Sequence, residues 1–176
     1  MSEGEFQYAV TVRVGVGCLD SGEVQPIGVA SGVAVDSRKV ITANHVVLGA
    51  KASGCANYIY VIFPYQGGAK LMSVTRTAPE ADAALLELDP QEEDFLAWAI
   101  PSPVPLFLDD EVCSVGGDWS VKFMKKCGLV NEIDDEYIRS NVWTKRGNSG
   151  GPLFRGRELV GIVVASYMDP LSEWQS

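Results

Sequence analysis

The sequence predicts an all-β fold of two six-stranded antiparallel β-barrels, and three observations lead there. Apolar and polar residues alternate with period two in one short segment after another along the chain. Turn-forming clusters such as Asp20-Ser21-Gly22, Asp36-Ser37 and Gly67-Gly68 separate these segments. No amphipathic pattern of three helical turns emerges anywhere. Two barrels fit this pattern because closing each sheet removes the exposed strand edges that open sheets carry.

The elements follow in order. Val10, Val12, Val14 and Val16 share one face of the first strand while Thr11, Arg13 and Gly15 share the other. Strand-like segments continue at 27–35, 40–41, 58–63, 71–76 and 84–88, which completes about six in one half. The texture then changes to the acidic run Asp89-Pro90-Gln91-Glu92-Glu93-Asp94, one helical turn over 95–98, and the prolines Pro101, Pro103 and Pro105. This stretch reads as a linker and divides the chain into barrels at 1–98 and 99–176. The second half carries segments at 111–115, 120–123, 128–133, 136–142, 152–154 and 159–167.

Composition bounds the function. With 176 residues, 47% hydrophobic and 21% charged, the chain can build a core in one compact unit or two small ones. Lys and Arg total 14 against 23 for Asp and Glu, and the net charge of −9 repels a phosphate backbone, so no nucleic-acid partner is expected. The apolar runs are far shorter than the ~20 residues of a membrane-crossing helix, so no membrane association is expected. The opening MSEGEFQYAV has no basic region ahead of an apolar stretch, which points to a cytoplasmic setting. Cys18, Cys55, Cys113 and Cys127 lack close C-x-x-C pairs, so neither a metal nor another cofactor is expected. Reduced, buried thiols are the expected state; the oxidised alternative pairs Cys18 with Cys55 and Cys113 with Cys127.

Two segments carry chemistry. His45 is the single histidine, placed where the run Val40-Ile41 breaks into Thr42-Ala43-Asn44. A lone histidine is ordinarily a surface or core-margin residue. The second segment, Arg146-Gly147-Asn148-Ser149-Gly150-Gly151-Pro152, sets a serine among three glycines. Glycines there permit positive φ and let the N–H groups of Gly147 and Ser149 converge beside the hydroxyl as an oxyanion hole. The spacing Gly147-x-Ser149-x-Gly151 also fits the nucleophile elbow of α/β-hydrolases, but no histidine follows Ser149 and the required helices are missing. The order Asp, His, Ser, with Asp20 or Asp36, needs an α/β scaffold as well. The remaining order, His, Asp, Ser, calls for an aspartate between 45 and 149. Asp82 fits best, just ahead of the apolar run Ala83-Ala84-Leu85-Leu86, and Asp89 at the far end of that run is the alternative.

Five stretches then resemble, in order, the blocks of trypsin-like serine peptidases. They are Gly28-Val29-Ala30-Ser31-Gly32-Val33-Ala34-Val35, Ile41-Thr42-Ala43-Asn44-His45-Val46-Val47, Asp82-Ala83-Ala84-Leu85-Leu86, Asp110-Glu111-Val112-Cys113-Ser114-Val115-Gly116 and Gly147-Asn148-Ser149-Gly150-Gly151-Pro152-Leu153-Phe154. The nearest look is to the bacterial high-temperature-requirement branch. The resemblance implies a serine endopeptidase acting on a polypeptide substrate, with His45 as general base, Asp82 as its orienting carboxylate, Ser149 as nucleophile, and Gly147 with Ser149 as oxyanion hole. Asn148 stands where secreted digestive members have aspartate, so no activation cleavage is implied. The alternative from another class is a catalytically silent fold of this kind serving as a binding or scaffold module.

By the same resemblance the residue six before the nucleophile, Trp143, floors the primary specificity pocket, with Val164, Ala165 and Ser166 as a shallow apolar wall. No carboxylate is there to receive Arg or Lys. Only 27 residues follow Ser149. The second barrel is therefore expected to be truncated, with the tail, the N-terminus or a partner chain filling the gap.

Overall fold

The computed structural model describes residues 1–20, 22–52, 58–64, 68–117, 123–134, 137–142, 149–164, 167–168 and 174–175. In it the first half of the chain closes into a barrel. Its strands are β1 (Thr11–Asp20), β2 (Glu23–Asp36), β3 (Lys39–Ala43), β4 (Tyr58–Ile62), β5 (Ala69–Ala78) and β6 (Ala83–Leu88), in the order β1-β2-β3-β6-β5-β4. All six pairings are antiparallel, and β1 meets β4 at the closing seam with Arg13 opposite Ile62. Alternation puts Val12, Val14, Ala34, Val40, Val61, Leu86 and Leu88 in one core cluster with Phe63 and Phe95. A Cβ on Gly15 would lie 2.1 Å from the Tyr60 ring, so a side chain there would displace that ring from the seam.

The second sheet contains β7 (Ile100–Pro101), β8 (Glu111–Gly117), β9 (Phe123–Ile133), β10 (Ile138–Ser140), β11 (Pro152–Arg155) and β12 (Glu158–Ile162), in the order β10-β9-β8-β11-β12-β7. It curls into a half-barrel rather than closing. Its one departure from antiparallel pairing is β7, which runs parallel to β12. A separate two-stranded ladder joins β13 (Tyr167–Met168) to β14 (Trp174–Gln175), so the strand expected over 159–167 is divided. The two sheets share a core of Val10, Val33, Ala99, Val115, Phe154 and Leu159. Val33 faces that shared core while its neighbour Ala34 faces the barrel interior, so β2 is covered on both sides. Side chains of this size each contribute about 1.5–3 kcal/mol when fully buried.

Two helices were not foreseen. α1 (Glu3–Val10) and α2 (Asn44–Ala52) are eight and nine residues long, too short for a three-turn pattern. The start of α1 was nonetheless written in the chain: Ser2 accepts a hydrogen bond from Glu5 N at 3.1 Å, and Glu3 and Glu5 complement the helix dipole. Val10 consequently ends a helix, and the strand begins at Thr11. α1 reaches the second sheet, where Gln7 Nε2 donates to Gly156 O at 2.7 Å and the Arg157 guanidinium lies over the Phe6 ring.

Two arginines pin the linker: Arg38 donates to Asp89 O, Glu92 O and Asp94 Oδ1 over 2.7–3.0 Å at the acidic run, and Arg155 holds the far end. Arg155 donates to the carbonyls of Pro105 and Val104, to Ser102 Oγ and to Asp110 Oδ2, over distances of 2.7–3.1 Å. Asp110 also accepts from Phe107 N at 2.9 Å. That backbone bond, and then the Arg155 charge, hold its carboxyl below the usual carboxylate range against an opposing contribution from burial.

The expectation of reduced thiols does not hold. Cys113 on β8 stands directly opposite Cys127 on β9, with Cα atoms 4.0 Å apart, and the two are joined in a disulfide. Cys18 is disulfide-bonded as well, while Cys55 lies outside the described residues. Directly opposed positions of an antiparallel pair project to the same face, which is what brings the two sulfurs together.

Candidate active site

His45 owes its position to the end of β3. The strand stops at Ala43 and the chain passes straight into α2, so the imidazole projects from the first helical turn. Asp82 comes from the opposite side. A short 3-10 turn, Pro79–Ala81, delivers it at φ 50° and ψ 44°, a left-handed conformation that aspartate tolerates better than most residues. In this pose one residue receives three bonds: its carbonyl accepts Asn44 N at 2.9 Å, Oδ1 accepts His45 N at 2.8 Å, and Oδ2 lies 2.6 Å from His45 Nδ1. The His45 side chain is 48% exposed and that of Asp82 26%. The tautomer that donates from Nδ1 to this carboxylate has its accepting lone pair on Nε2.

The serine-bearing turn is brought to the same strand end by backbone contacts. Ser149 O accepts from Ser31 N at 2.9 Å. Gly150 follows at φ +85°, and a Cβ on it would lie 2.2 Å from Ser31 O, 2.3 Å from Thr42 Oγ1 and 2.8 Å from Ala43 N. Both the left-handed backbone and the close approach exclude any side chain. Ala43 is two residues ahead of His45, so the turn lies against the segment that leads into the imidazole. The second sheet holds the other side: Gly150 N donates to Val163 O at 2.6 Å, Val163 N to Gly151 O at 2.8 Å, and Ser114 Oγ to Pro152 O at 2.9 Å.

The structure thus pairs His45 with Asp82 and packs the turn of Ser149 onto the same barrel. Val164 follows Val163 and is partly buried. Gly147, Trp143, Ala165 and Ser166 lie outside the described residues. Asp89, the alternative to Asp82, sits past the other end of β6, where its carboxylate accepts from Gln91 N at 3.1 Å in a turn. Sequence reasoning passed over Ser31 and Thr42, both fully buried beneath the serine turn. Their only signal was two hydroxyls at positions where strand periodicity asks for apolar side chains. Among the described residues, one group of metal-type donors comes together, Glu111 with Cys113 and Cys127, but its two sulfurs are bonded to each other and form no thiolate pair.

Comparison with known proteins gives the family. The model of the trypsin-like peptidase domain matches residues 30–162. Similar proteins include the probable periplasmic serine endoproteases, DegP-like, of Brucella suis biovar 1 (strain 1330), Brucella abortus biovar 1 (strain 9-941) and Brucella melitensis biotype 1. Each is 26% identical over 156 residues, covering 83% of this chain and 29% of the relative, so the chain spans less than a third of those proteins. The matched region runs from β2, which carries Ser31, through the serine turn to the end of β12, and the chain belongs to the trypsin-like peptidase domain family.

Proposed function

We propose that the chain is a serine endopeptidase that cuts peptide bonds through an acyl-enzyme intermediate. The observation that carries this reading is the 2.6 Å approach of His45 Nδ1 to Asp82 Oδ2, on the barrel against which the Ser149 turn is wedged. Asp82 keeps the imidazole proton on Nδ1 and stabilises the charge that develops on the ring. Nε2 then takes the Ser149 hydroxyl proton as Oγ attacks the substrate carbonyl carbon. The N–H groups of Gly147 and Ser149 receive the oxyanion in this reading. Collapse breaks the C–N bond, and the proton on Nε2 passes to the leaving amine. A water molecule, deprotonated by the same nitrogen, releases the acyl group and restores the serine.

The substrate preference follows from Trp143, Val164, Ala165 and Ser166 as pocket residues: an apolar side chain of small or medium size before the cut. An oxidised Cys113–Cys127 pair supports work in an oxidising compartment rather than the cytoplasm. The Brucella relatives carry the word periplasmic in their names.

A fluorophosphonate probe tests the reaction, since its phosphorus is attacked only by an activated hydroxyl, with loss of fluoride. Ser149 acquires the label in the native protein, and both Ser149→Ala and His45→Ala abolish it. A folded native protein that takes up no label is a binding module and not a peptidase.

A further inference from the structure

We propose that the buried hydroxyl of Ser31 is a positioning group for the nucleophile turn, and that through it the two sheets set the distance between Ser149 and His45. The inference rests on the reading of Ser149 as nucleophile. Ser31 lies on β2 with none of its surface exposed. Its backbone grips the serine turn and the strand that leads to His45, while its side chain reaches the second sheet. Its N–H donates to Ser149 O at 2.9 Å, and its carbonyl accepts Thr42 Oγ1 at 2.9 Å. That same carbonyl forms part of the floor on which Gly150 rests. Its Oγ accepts from Gly117 N at 3.2 Å, and Gly117 is the last residue of β8 in the second sheet.

The consequence is mechanical. β8 pairs with β11, whose first residue, Pro152, is three positions after Ser149, and Ser114 of β8 also binds Pro152 O. A displacement of β8 relative to β2 therefore displaces the serine turn relative to the end of β3 and the His45 that follows it. The Gly117–Ser31 bond is a side-chain hydrogen bond that ties β8 directly to β2. Reacting groups must be held to within about 1 Å, beyond which a rate loss of about a hundredfold is typical. A single hydroxyl at this seam controls that tolerance without touching substrate.

The test compares native protein with Ser31→Ala and Ser31→Cys, using a small fluorophosphonate probe. The rate constant for labelling is read separately from the fraction of molecules that label, and kcat and KM are measured on one peptide. The expected result is a fall of about tenfold in the labelling rate constant and in kcat for Ser31→Ala, the scale of one lost hydrogen bond, with KM unchanged. Ser31→Cys, which keeps a weak acceptor of similar size, falls between. A merely structural serine predicts otherwise: a smaller labelled fraction and a lower melting temperature, but an unchanged rate constant per active molecule. That outcome overturns the inference. Amide exchange at Gly117 in the native protein provides a check that needs no variant to fold; an unprotected Gly117 amide removes the bond and the inference with it. If the native protein itself does not label at Ser149, the peptidase reading fails first, and the two failures stay distinct.

Discussion

Replacing Asp82 by asparagine should disable the site through the tautomer of its histidine. Asp82 accepts two bonds from His45, at Oδ1 from the backbone N–H (2.8 Å) and at Oδ2 from Nδ1 (2.6 Å). An amide has only one accepting end. The backbone N–H is always a donor and claims that end, which leaves the NH2 group facing Nδ1. The ring must then carry its proton on Nε2, where a lone pair is needed to accept from Ser149. Retaining the productive tautomer instead forfeits one of the two bonds and sets two donors against each other. The lost bond to a charged group is about 1.5–3 kcal/mol and the opposed, unsatisfied donors about 1–3 kcal/mol more, so this costs roughly 3–6 kcal/mol, or two to four decades in rate. The half-exposed imidazole, 48% open to solvent, places the expectation toward the lower end, a loss of about 10²–10³ in kcat/KM. Buried triads of this kind lose about 10⁴ on the same change. Because His45 is the only histidine in the chain, a nitrogen-15 correlation spectrum reads its tautomer without assignment. Native protein should show Nδ1–H and Asp82→Asn should show Nε2–H. Activity within tenfold of native, or the same tautomer in both proteins, refutes the reasoning.

Three other outcomes are expected. Gly150→Ala combines a left-handed backbone with overlap against three polar atoms of the first barrel and should cost about 3–5 kcal/mol of stability in urea unfolding. Gly68→Ala has a similar φ of +77° but open space around it, so it should cost only about 1–2 kcal/mol; equal losses refute the wedge. The Asp110 carboxyl is held below its ordinary range, first by the Phe107 N–H and then by Arg155, so its folded-state value lies under its unfolded one. Its stabilisation is therefore present above the unfolded carboxylate value and lost as pH falls through the folded one. Asp110→Asn should flatten the acid side of the stability profile, and an unaltered slope there contradicts the assignment. Finally, profiling an unbiased peptide set should show small or medium apolar residues before the cut, and a dominant Arg, Lys or Glu preference overturns the proposed pocket.

The fold class was legible because strand alternation and barrel closure are written in local pattern: Val12, Val14, Val40 and Leu86 enter the interior of the first barrel as their period requires. The short helices were harder to read, since two turns in α1 and α2 hold too few residues to build an apolar face. The cysteines were misjudged for a related reason. Cys113 and Cys127 lie 14 positions apart, and only the β8–β9 register sets them opposite one another.

The candidate site divides in the same way. By itself the sequence determined which residue types could do the chemistry: one imidazole, one serine among glycines, and an aspartate ahead of an apolar strand. These are statements about composition and chain order, and order together with the lack of long helical patterns ruled out two other scaffolds. Tertiary structure alone decided between Asp82 and Asp89, because the choice depends on which end of β6 meets the end of β3. It alone revealed why Gly150 admits no side chain, since the atoms it would strike belong to residues more than a hundred positions away. Such contacts leave no periodic trace in a chain, whereas the local preferences that form strands do.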